Sequence, residues 1–114
     1  MDPLLPPEDL HHLTGIVLLD ARPRAAYEAG HLPGALPADL ESTLSTAAEP
    51  GHDPARGGRH PLPPLRAWCR QLGEWGIGAD TLVVAYDEAQ GSNAAARAWW
   101  MLRAAGHTNC AVLD

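Results

Sequence analysis

The chain has 114 residues, 46% of them hydrophobic and 19% charged, which suits one packed domain and excludes a wholly disordered chain. Eight basic residues against fourteen acidic ones give a formal charge of −6, which argues against a general nucleic-acid binder. No apolar stretch approaches the length of a membrane span, and the start MDPLLPPEDL lacks the basic and apolar regions of a signal peptide. Two cysteines, in no metal spacing, are too few for a disulfide scaffold, so a protein of the reducing cytoplasm with no membrane contact is expected.

In chain order, PPEDLHHL has prolines and acids ahead of its leucines, which predicts a short helix over Pro7 to Leu13. GIVLLD is a continuous apolar run closed by Asp20 and predicts a strand buried on both faces. PRAAYEAG predicts a short helix with Pro23 near its start and Gly30 at its end. The chain then turns through Pro33 and Gly34, with Ala35 and Leu36 as a very short strand. From Glu41 to His60, glycine, proline and charge are dense, and a long surface excursion is expected. LPPLRAWCRQLGEWGIG predicts a helix with Leu65, Trp68, Cys69, Leu72 and Trp75 on one face, stopped by Gly76. TLVVAY is a second strong strand. The helix after Ser92 carries a stripe of Ala95, Ala98, Trp99 and Leu102 and ends at Gly106, and NCAVLD opens a third strand. Strands alternating with helices predict an α/β fold, an open parallel sheet flanked by helices, with Asp20, Asp87 and Asp114 at its carboxyl edge. Open α/β sheets bind their ligands at that edge.

Asp87, at the top of TLVVAYD, is the sharpest chemical candidate. As an aspartyl nucleophile for phosphate it would need a second acid two positions later, and Ala89 stands there. As a structural residue it would accept backbone N–H bonds near a helix start. Cys69, beside Trp68 and Leu72, reads as a buried core thiol. Cys110 begins a strand with only His107 as a basic neighbour and reads as unreactive. Neither cysteine is followed by a five-residue spacer and an arginine. Arg22 and Arg97 are candidates to face an anion near the loop, although Arg97 is expected on the exposed side of its helix. His11 and His12 point to different helix faces, no HxxxH or HExxH spacing occurs, and neither a metal site nor a cofactor is expected.

DARPRAAYEAGHLPGA resembles the D-x-R…Y-x-x-G-H-x-P-G-A signature of the rhodanese (thiosulfate sulfurtransferase) superfamily. GGRHPLP, GIGADTLVVAYD and GSNAAARAWWMLRAAGHTNCAVLD extend the similarity over nearly the whole chain. The resemblance is strongest to the N-terminal, non-catalytic half of two-domain thiosulfate or 3-mercaptopyruvate sulfurtransferases. It implies that the residue after the V-x-Y strand is normally a cysteine, whose thiolate carries sulfane sulfur as a persulfide. Asp87 would then replace that cysteine, in a loop of Asp87, Glu88, Ala89, Gln90, Gly91 and Ser92. The signature residues Asp20, Arg22, Tyr27, Gly30, His31, Pro33 and Gly34 would be structural. Asp20 would accept N–H or Arg22 bonds, Gly30 and Gly34 would adopt backbone geometry that a Cβ opposes, and His31 would bond across the turn. The resemblance further implies that residues 1–114 are an incomplete domain, and that a catalytic rhodanese domain in the same chain or a partner chain completes it. A stand-alone inactive module that binds a protein or an anion is the alternative.

Overall fold

A computed structural model describes residues 4–46, 61–88 and 94–113. Five strands, β1 (Leu4–Leu5), β2 (Val17–Asp20), β3 (Leu36–Pro37), β4 (Val83–Tyr86) and β5 (Cys110–Leu113), form one sheet in the order β1-β5-β4-β2-β3. Every neighbouring pair is parallel, so each connection must cross from one edge of the sheet to the other. A 3-10 turn (Pro7–His12), α1 (Arg24–Ala29), α2 (Leu65–Glu74) and α3 (Ala94–Ala104) lie in those connections. Two connections run toward β3 and two toward β1. Right-handed crossovers therefore put the 3-10 turn and α1 on one face and α2 and α3 on the other. Trp68 Nε1 donates to the Met101 carbonyl at 3.0 Å and ties α2 to α3.

In a parallel ladder, residues in register share a face. Val83 pairs with Val17 and Cys110, and Ala85 pairs with Leu19 and Val112. These six side chains meet Trp68, Leu72, Ala95, Ala98, Met101 and Leu102 of α2 and α3 in the main core. The alternate positions Leu18, Asp20, Val84, Tyr86 and Ala111 point to the α1 side, and Val84 and Ala111 are buried there. β4 lies in the middle of the sheet and is buried at all four positions, as its unbroken apolar run requires.

Several expectations need correction. β1 was not expected, because two leucines between prolines carry no periodicity; it is held as a strand only by its pairing with β5. The strand after Gly34 is Leu36–Pro37, one residue later than expected, because Ala35 N–H is spent on the Leu32 carbonyl in the turn. Pro7–His12 is 3-10 rather than a regular helix. Cys69 is exposed rather than buried, and Leu65 is 62% exposed. At about 100° per residue the five positions span an arc of about 120°; Leu65 and Cys69 fall at one edge of it, and the core takes Trp68 and Leu72 with part of Trp75. Arg97 is half-buried rather than on the open side of α3, with Nε donating to the Leu44 carbonyl at 3.1 Å. Within the Glu41–His60 excursion, residues 41–46 form turns anchored on buried Asp39, whose carboxylate accepts from Ser42 N, Ser42 Oγ and Thr43 Oγ1. Residues 47–60, Asp114 and the side chains of His11 and His12 lie outside the described residues.

Candidate functional site

The carboxyl ends of β2 and β4 carry the residues singled out in the sequence. Asp20 is fully buried and is the hub. Its Oδ1 accepts from Arg22 N at 2.9 Å and Arg22 Nε at 3.0 Å. Its Oδ2 accepts from Arg22 Nη2 at 2.8 Å and from the Tyr86 hydroxyl at 2.9 Å. The Tyr86 oxygen in turn accepts the Leu32 N–H at 3.1 Å. Arg22 Nη2 also donates to the carbonyls of Ala26 and Gly30. These are carbonyls at the C-terminal end of α1, so Arg22 caps the helix while it neutralises Asp20. The arrangement explains how a six-residue helix with no buried side chain and no side-chain N-cap persists.

The electrostatics follow from the same contacts. Burial alone would push the Asp20 carboxyl up; the Arg22 hydrogen bonds, the Tyr86 hydroxyl and the Arg22 charge together hold it below its ordinary value. Arg22 is raised by its hydrogen bond to Asp20, with Glu88 adding to the field from the loop after β4. Burial, in the main, raises the Tyr86 phenol, and the hydroxyl remains a donor to Asp20.

The loop after α1 is built on this hub. Leu32, Pro33, Gly34 and Ala35 form a turn closed by Ala35 N–H to the Leu32 carbonyl at 3.0 Å. Gly34 sits at φ +80°, the left-handed geometry that the third position of such a turn requires. Gly30, by contrast, has φ 162° and open space around a notional Cβ, so the expected steric demand for glycine is not present there. Tyr27 Oη donates to the Ala35 carbonyl at 2.8 Å and closes the loop from the helix side. The His31 ring stacks on Tyr27 with centroids 3.7 Å apart, and its Nδ1 lies 2.8 Å from the Tyr27 carbonyl. His31 thus bonds locally, back onto the last turn of α1.

Asp87 directly follows β4, and its Oδ2 accepts the Ala95 N–H at 2.8 Å. Ala95 is in the first turn of α3, so the carboxylate satisfies one of the helix's orphan donors and meets the positive end of its dipole. Ala89, Gln90, Gly91 and Ser92, expected to complete this loop, lie outside the described residues. A cavity of about 310 Å³ opens beside the helix start, lined by Ala21, Pro23, Arg24, Asp39, Leu40, Glu41 and Ala94. Its lining is mainly apolar, and among the described residues Arg24 is the one cation against two acids, Asp39 and Glu41. Among the described residues, no three His, Cys, Asp or Glu side chains come together as a metal site, and no helix is long and apolar enough to cross a membrane.

The family profile of the rhodanese-like domain matches residues 7–114. The chain belongs to the rhodanese-like family. It is 44% identical over 90 residues to SseB of Mycobacterium tuberculosis, provisionally named a thiosulfate sulfurtransferase; the match covers 79% of this chain and 30% of that protein. It is 38% identical over 92 residues to the 3-mercaptopyruvate sulfurtransferase of Homo sapiens, covering 80% of this chain and 28% of the relative. The solved structure of 3-mercaptopyruvate sulfurtransferase from Leishmania major superposes with a TM-score of 0.82 at 26% identity, covering 99% of this chain and 32% of that one. The chain therefore spans about 30% of the length of these relatives.

Within this rhodanese-like domain, the Cys110 thiol lies away from Asp87. Cys110 is buried at the first position of β5, in register with Val83 at the amino end of β4. Asp87 lies four residues beyond Val83, about 13 Å at 3.3 Å per residue. Burial raises the Cys110 thiol, and its Sγ contacts the His107 carbonyl at 3.5 Å. Cys69 is exposed on α2. The hub residue that sequence reasoning missed is Tyr86, read only as a strand residue. The signal was its register: as the fourth residue of VVAY it lies opposite Asp20 and on the same face.

Proposed function

We propose that this domain is the non-catalytic half of a sulfurtransferase that moves sulfane sulfur from thiosulfate or 3-mercaptopyruvate to a thiophilic acceptor. In this reading Asp87 occupies the place of the family's nucleophilic cysteine. The observation that carries it is the Asp87 carboxylate after β4, bonded to the first turn of α3. A carboxylate supplies a hard oxygen, already ionised, where persulfide chemistry needs a soft thiolate. Glu88, Asp39 and Glu41 add negative charge around the same edge, which disfavours an anionic sulfur donor.

The partner is then a catalytic rhodanese domain, in the same chain or another, and the length of the relatives supports this. The names of these relatives point to the two donors. The two free cysteines support a reducing, cytoplasmic setting. The test is thiocyanate formation from cyanide with each donor, on the chain and on its Asp87→Cys variant. The wild type is expected to give no turnover, and turnover by the wild type would overturn the proposal.

A further inference from the structure

We draw no further inference here: the strongest candidate, the open apolar groove between α2 and α3 lined by Leu62, Leu65, Trp68, Trp100 and Met101, carries nothing because its lining among the described residues is uncharged and nothing in the structure shows what covers it.

Discussion

Replacing Asp20 with asparagine tests whether the hub holds the loop and α1 together. The carboxylate accepts from four donors: Arg22 N, Nε and Nη2 and the Tyr86 hydroxyl. Asparagine keeps one acceptor oxygen and turns an amide N–H₂ toward Arg22, leaving the guanidinium without its counter-charge. Breaking a buried ion pair from one side costs about 3–5 kcal/mol. The Arg22 side chain is 22% exposed and recovers part of that from water, so about 2–3 kcal/mol is expected. For a chain of this size that lowers the melting temperature by roughly 10 °C. The assay is thermal unfolding by circular dichroism across a pH series. Because the Asp20 carboxyl is held below its ordinary value in the folded state, its contribution is fully present above the unfolded pKa, near 3.8. It is lost as pH falls through the lower folded value. The gap between wild type and Asp20→Asn should therefore be widest at neutral pH and narrow on acidification below about pH 4. A variant that melts within about 1 °C of wild type, or a gap that stays constant well below about pH 4, would refute the reasoning.

Other expectations follow from the same geometry. Gly34→Ala places a Cβ on a residue at φ +80° and should cost about 1–2 kcal/mol, whereas Gly30→Ala, in extended backbone with open space, should cost well under that in the same melts. Tyr86→Phe removes the donor to Asp20 and the acceptor of the Leu32 N–H and should destabilise by about 1–3 kcal/mol, read by denaturant titration. In a thiol-labelling time course, Cys69 should react in the folded chain and Cys110 only on unfolding, because one is exposed and the other buried with a raised pKa.

The strands VLLD and VVAY were legible because a strand buried on both faces leaves an unbroken apolar run. Asp20 and its Arg22 partner were legible because they stand two positions apart and the strand ends between them. β1 was not, since its only support is a partner more than a hundred residues away. The misplaced Cys69 and Leu65 show the limit of helical phase: it gives an arc of about 120° but not where the arc is centred on the core, and packing took Trp68 and Leu72 and left Cys69 and Leu65 at its outer edge. Leu65 lines the open groove. The role of Tyr86 depended on strand register, which sequence spacing does not supply.

The most direct test of the central claim is sulfane-sulfur loading of the purified chain. Wild type and Asp87→Cys are each incubated with thiosulfate and with 3-mercaptopyruvate, then assayed by intact mass and by thiocyanate release to cyanide. The account predicts an unmodified, inactive wild type and a variant that gains one sulfur atom on the thiol introduced in place of Asp87. A wild-type chain that takes up sulfur or forms thiocyanate would contradict it, and Cys69 or Cys110 would have to be the carrier.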